Sequence, residues 1–211
     1  MDMNSDKHMN EIVPLQIEIK AEIDALIQYA NSMGAAAKYL SPSEIVVSQF
    51  VSLKCRYGCR GYGKRFSCPP YAPTPEETRI ILTEYQHALM VRFKERDGFE
   101  GYTPPPGDPQ TTAAWVHRSM LALERHAFLA GYYKAFSFSA HPCSVCARCI
   151  LKDGGTLCRL RDQVRPSMEA SGIDVYATAK KLGWTIRTLA YMPNGKSTCD
   201  AAYTHTLILI E

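Results

Sequence analysis

The amino-acid sequence predicts an α/β fold: a layered mixed sheet flanked by helices, with cysteine-rich metal-binding loops at strand ends. Three observations carry this. Helical and strand-like segments alternate along the 211 residues, the pattern that stacks helices on a sheet. Seven of the eight cysteines fall in two blocks, 55–68 and 143–158. Each block follows a segment of strand character, and strand ends are where sites collect in such folds.

The elements follow in order. Residues 1–14 are polar at their start and read as a flexible tail, which leaves 15–211 as a single metal-binding domain. From Ile17 to Ala37 the pattern is helical, with Ile23, Leu26, Ile27, Ala30 and Met33 on one face. Ser41-Pro42-Ser43 breaks it, and Ile45 to Leu53, rich in β-branched and aromatic residues, reads as a strand entering the first block. Thr74, Pro75 and Glu77 spell a capping box that opens a helix to about Tyr85. His87 to Phe93 reads as a buried strand, and 97–109 as a proline-rich loop. Asp108-Pro109 opens a long helix carrying Val116, Met120, Leu123 and Ala127, and Gly131 ends it. Tyr132 to Ser139 reads as a strand leading to the second block. A short helix at Val175–Leu182 stops at Gly183, and Trp184–Ala190 and Thr204–Ile210 read as strands.

Net charge is +3 with a pI near 8.4, too mild to argue for nucleic acid or a membrane surface. No segment approaches the roughly 20 apolar residues of a membrane span. A cytoplasmic protein is expected, in which thiols stay reduced and clustered cysteines are ligands or catalysts rather than disulfides.

The second block, Cys143, Cys146, Cys149 and Cys158, has the spacing C-x2-C-x2-C-x8-C. A tight loop of this kind wraps three thiolates around one face of a cubane, and the bacterial ferredoxin run begins the same way. The loop holding Asp153-Gly154-Gly155 is long enough to fold back and deliver the fourth thiolate. A four-cysteine zinc site uses two separate C-x2-C knuckles; here they share Cys146, which favours a 4Fe–4S cluster over zinc. Arg148, Lys152, Arg159, Arg161 and Arg165 would balance an anionic cluster.

The first block, Cys55, Cys59 and Cys68, is spaced C-x3-C-x8-C and holds Gly58, Gly61 and Gly63. No Asp or Glu occurs from Ile45 to Pro75, whereas Lys54, Arg56, Arg60, Lys64 and Arg65 do. This excess suits an anionic cluster or a small anionic substrate, with Arg60, Lys64, Arg65 and Arg165 as the candidate substrate contacts. Three thiolates leave one cubane iron without a cysteine. A remote Cys199, His141 or carboxylate completes the set, or the iron stays open to substrate, or this block joins the second at one metal region. A zinc site completed by histidine is the alternative. Tyr57, Tyr62, Phe66 and Tyr71 shield a cluster from water or simply pack the core. Arg165 is placed to pair with Glu169 or a substrate carboxylate, and His117 and His126, on opposite helix faces, read as satisfied histidines rather than ligands.

These segments resemble a family of uncharacterised, cysteine-rich prokaryotic proteins described as predicted metal-binding proteins. Cys55 to Pro70 and His141 to Asp174 carry the resemblance, including Ser67-Cys68-Pro69-Pro70 and Arg165-Pro166-Ser167-Met168-Glu169. The resemblance covers about residues 20–210, departs at Leu160 where a proline is expected, and implies metal or iron–sulfur binding and nothing finer. The expected function is an iron–sulfur protein with one or two 4Fe–4S clusters, in electron transfer or reductive chemistry with a redox partner protein or a small anionic substrate. The alternatives are a zinc protein without redox activity and an enzyme using an open-iron cluster held by three cysteines.

Overall fold

The computed structural model describes residues 5–94, 112–186 and 203–211. Their elements are α1 (Ser5–Ser32), β1 (Ala35–Leu40), α2 (Gln49–Gly58), α3 (Pro75–Leu82), β2 (His87–Lys94), α4 (Thr112–Leu129), β3 (Phe136–Phe138), α5 (Val175–Lys181) and β4 (Tyr203–Ile210). Short 3-10 turns lie at Pro42–Glu44, Ile150–Asp153 and Glu169–Ser171. The strands form one sheet in the order β1-β2-β4-β3. The α/β layering is as expected, but the mixed sheet is antiparallel in each of its pairs. Parallel pairing is confined, among the described residues, to the isolated bridge Ser139↔Ser167 beside the second block.

The apolar run of β2 makes it a central strand, buried on both faces. Leu89, Val91 and Phe93 join Ile208 and Ile210 of β4 in a core with Ile23, Leu26 and Ala30 of α1 and Val116, Met120 and Leu123 of α4. The alternate residues, Ala88, Met90, Leu207 and Leu209, face a second core with Met168, Ile173 and Ala179. Period-two alternation thus sends each strand's side chains into two separate layers. The second layer is the one that supports the cysteine blocks.

Several local expectations change. The chain is helical from Ser5, within the segment read as a tail, because extending a helix is far cheaper than nucleating one. Gly34, with φ +79°, turns the chain out of α1, and Ala35–Leu40 forms an edge strand rather than the end of that helix. Its pairing from Ala35↔Phe93 to Leu40↔Ala88 overrides the helix propensity of three alanines. Ile45–Leu53 is not a strand. Val47 makes one bridge to Ile173, and then Ser48 accepts a hydrogen bond from the Phe50 N–H and starts α2. The first block therefore leaves a helix, not a strand end.

The Thr74–Glu77 capping box forms in both directions, and Gly131 and Gly183 follow α4 and α5 with positive φ. The strand expected at Tyr132–Ser139 shrinks to Phe136–Phe138. Residues 184–186 are not strand. The rest of that expected strand, the 97–109 loop and the Asp108-Pro109 opening lie outside the described residues, as does Cys199. No helix among the described residues is long and apolar enough to cross a membrane.

Candidate metal centre

Helix α2 positions the first two thiols: Cys55 lies in its last turns, and Cys59 is its C-cap, with the Cys59 N–H donating to the Cys55 carbonyl at 3.3 Å. The chain then winds through successive tight turns, Tyr62 N–H to Cys59 O at 3.2 Å, Lys64 N–H to Gly61 O at 3.1 Å and Cys68 N–H to Arg65 O at 3.0 Å. Gly63, at φ +67°, supplies the left-handed residue that this winding requires. The result returns Cys68 beside α2, so that Cys55, Cys59 and Cys68 line one cavity of about 510 Å³. The Gly61 N–H donates to the Cys59 sulfur at 3.3 Å.

The cavity's other walls are largely apolar, with Phe50 and Val51 of α2 facing Ile173, Val175 and Tyr176. Among the described residues, its charged lining is Lys54, Glu169 and Asp174. The Asp174 carboxylate is engaged, accepting the Ala177 N–H at 2.9 Å as the cap of α5.

The second block follows β3. Ser139 donates its N–H to Pro166 O at 2.8 Å and accepts from the Met168 N–H at 2.9 Å, which ties both ends of the intervening loop together. Within it, Cys149 precedes the 3-10 turn, Gly154 reverses the chain at φ +80°, and the Gly155 N–H returns to Ile150 O at 3.0 Å. A side chain at Gly155 would collide with Ile150. Arg148 braces the turn by donating to Asp153 at 2.8 Å. The loop folds back as its glycines predict, and Cys146 and Cys158 both come within electrostatic range of Cys143.

The two blocks adjoin. Arg65 donates to the Cys143 carbonyl at 2.6 Å, and the Cys143 N–H donates to the Ser67 hydroxyl at 3.0 Å. The thiols are free in both blocks. Burial pushes the Cys55 thiol up to about 11, and the charges of Cys59, Glu169 and Cys68 add to the rise. Burial also raises Cys68 and Cys143, partly offset by Arg65 and local hydrogen bonds. Packed thiols of this kind stay protonated until a cation joins them. No group of three or more His, Cys, Asp or Glu among the described residues is arranged to hold a metal ion.

The expected substrate cations are placed differently. Arg60 and Lys64 are exposed and stand outside the cavity wall, and Arg65 is a brace between blocks. Arg165 does not pair with Glu169. It forms a buried ion pair with Glu124, with its Nε donating at 2.8 Å, and lies 5.1 Å over the Phe136 ring. Among the described residues, the cation on the cavity wall is Lys54. Tyr62 also lines the cavity, whereas Tyr57 is 79% exposed and shields nothing.

His117 is a satisfied core histidine, donating from Nε2 to the Gln163 carbonyl at 2.6 Å, and His126 stacks on Tyr29. His141 does not line the cavity; its Nε2 lies 3.4 Å from the Thr204 hydroxyl. Glu169 is the residue whose place the sequence did not reveal. It is 114 positions from Cys55, yet its carbonyl lies 4.0 Å from the Cys55 sulfur. The nearest sequence signal was its membership of the Arg165–Glu169 segment.

A family model described as a predicted metal-binding protein (DUF2284) matches residues 38–209, and the chain belongs to that family. No curated protein and no solved structure matches it.

Proposed function

We propose, with membership of a metal-binding family as the premise, that this chain is an iron–sulfur protein acting in electron transfer or reductive chemistry. Cys143, Cys146, Cys149 and Cys158 are the four-thiol set for one 4Fe–4S cluster, and Cys55, Cys59 and Cys68 are the set for a second centre. The observation that carries the reading is the adjacency of two free-thiol sets joined through Arg65, Ser67 and Cys143. The donor set fits a cluster in kind: soft sulfur ligands, and the Gly61 N–H directed at the Cys59 sulfur. A bound cluster supplies one-electron chemistry, with a potential set by such hydrogen bonds and by solvent exposure.

The chain's own residues do the rest. Arg65 and Ser67 fix the distance between the sets. The apolar wall of Phe50, Val51 and Ile173 lowers the polarity beside the three-thiol set, of which Cys68 is buried and Cys59 is exposed. Lys54, at the wall's exposed edge, attracts a small anionic substrate or the acidic surface of a redox partner protein. The reading takes the protein as cytoplasmic, where the thiols remain reduced.

Anaerobically purified protein is expected to be brown and to contain iron and acid-labile sulfide, roughly four irons per chain for one cluster and roughly eight for two. Colourless anaerobic protein with stoichiometric zinc and no sulfide would sink the reading and leave a zinc-stabilised structural protein in its place.

A further inference from the structure

The cavity beside the first block has two unlike ends, and α2 spans both. Phe50 and Val51 line it from the first turn of that helix, and Cys55 and Cys59 from its last turns and C-cap. At the rise of an α-helix the two ends lie about 13 Å apart along the axis. The Asp174 N–H donates to the Val46 carbonyl at 2.7 Å, and Val47 bridges Ile173. Ile173, Val175 and Tyr176 therefore stand at the start of α2. That end of the cavity is apolar, and the thiols hold the other.

A cation belongs to the apolar end. Lys54 follows Phe50 by four residues, and its Nζ lies 5.2 Å over the Phe50 ring, which directs the ammonium back along the helix, away from the thiols. Lys54 makes no ion pair among the described residues. Of the carboxyl groups on the described wall, Asp174 caps α5 and Glu169 bonds the Ser167 hydroxyl. The wall's hydroxyls are engaged as well: Ser67 accepts the Cys143 N–H at 3.0 Å, and Ser167 accepts that of Ala170 at 3.1 Å. Phe50 and Tyr176, 56% and 53% exposed, leave ring surface open to water beside the unpaired ammonium.

We infer that the apolar end of this cavity binds an aryl monocarboxylate, with its ring against Phe50, Ile173 and Tyr176 and its carboxylate on the Lys54 ammonium. The inference names the substrate class for the reading above, in which Lys54 attracts a small anionic substrate, and rests on that reading. A volume of about 510 Å³ is that of small-molecule sites, which are mostly apolar and aromatic with a few polar groups that fix orientation. A ring suits this wall better than an alkyl chain, because it packs on aromatic faces and has fewer rotatable bonds to order. A lone ammonium is a point charge that matches one carboxylate; a phosphate is better held by an arginine fork, which the described lining lacks. A molecule held in this way lies alongside the thiol end without occupying it.

The test is calorimetric titration of the full chain, purified without oxygen, with phenylacetate, phenylethanol, hexanoate and inorganic phosphate, and with iron and sulfide counted in the same sample. Phenylacetate is expected to bind one per chain, and each of the other three at least about tenfold more weakly. Lys54→Gln, at an exposed position, is expected to weaken phenylacetate by about tenfold and to leave phenylethanol unchanged. Phe50→Ala, also exposed, is expected to weaken both. Phenylethanol or hexanoate binding as tightly as phenylacetate, or phenylacetate binding untouched by Lys54→Gln, would overturn the inference. Brown, sulfide-containing protein that binds no phenylacetate overturns the inference alone. Colourless zinc protein that binds it in a Lys54-dependent way overturns the iron–sulfur reading alone.

Discussion

The two cysteine blocks are held in opposite ways. The first is mounted on regular structure: Cys55 and Cys59 on α2, and a facing turn clamped by α3, with a cavity between. The second, between Ser139 and Pro166, has one 3-10 turn and otherwise irregular chain, and it reaches the core mainly at its ends. Arg165–Glu124 and His117–Gln163 anchor its tail to α4. The difference teaches where metal and fold depend on each other. A site on packed elements survives without its metal, whereas a loop with few apolar contacts takes its order from the ligands it binds.

The largest expected effect follows directly. Cys146→Ala should remove the second block's metal, roughly four irons per chain if that metal is a cubane, and disorder the 143–158 loop. Cys59→Ala should remove the first block's metal and leave the melting temperature nearly unchanged. Metal analysis beside thermal melting checks both, and equal loss of stability in the two variants would break the comparison.

Next is the anchor. The Arg165 and Glu124 side chains are only 13% and 14% exposed, so Glu124→Gln leaves a buried cation with half its partner gone. The expected cost is about 3–5 kcal/mol. Denaturant unfolding checks it; a loss below about 1 kcal/mol would place the pair with surface ion pairs.

Two glycines sharpen the contrast. Gly172→Ala forces a side chain into a φ of +78° against Pro75, at an expected cost of about 2 kcal/mol, and should weaken metal retention at the first block. Gly155→Ala meets Ile150 on a half-exposed loop that can shift, so the cost should be about 1 kcal/mol and fall on the second block. Chelator-release rates for the two centres separate the outcomes.

The smallest effect belongs to a histidine of β4. Burial, with Arg92 adding, lowers His205 from 6.5 to about 4. The folded state thus binds its proton less readily than the unfolded chain. Stability from this residue is complete above pH 6.5 and is lost as pH falls through about 4. His205→Asn should flatten that part of the stability profile relative to wild type, and parallel profiles would exclude the histidine.

Much of this was legible in the sequence. β2 announced itself by an apolar run and α3 by its capping box. β1 and α2 were not, because their propensities point the wrong way. Three alanines form a strand because β2 offers an open edge, and Phe50–Leu53 is helical because Ser48 caps it. The cavity was illegible for a different reason: its walls come from segments more than a hundred positions apart, such as Cys55 and Glu169, and local pattern carries no record of such contacts. The partner of Arg165 was hidden likewise, since counting arginines gives no sign that it pairs with Glu124.

The strand order has one further consequence. β3 reaches the sheet only through β4, and β4 follows both cysteine blocks in the sequence. During synthesis the thiols therefore leave the ribosome before the strand that secures the second block has appeared. Docking of β4 is a non-local event and comes late in folding. Loading of the proposed centres would then be a post-translational step, timed by closure of the sheet rather than by emergence of the cysteines.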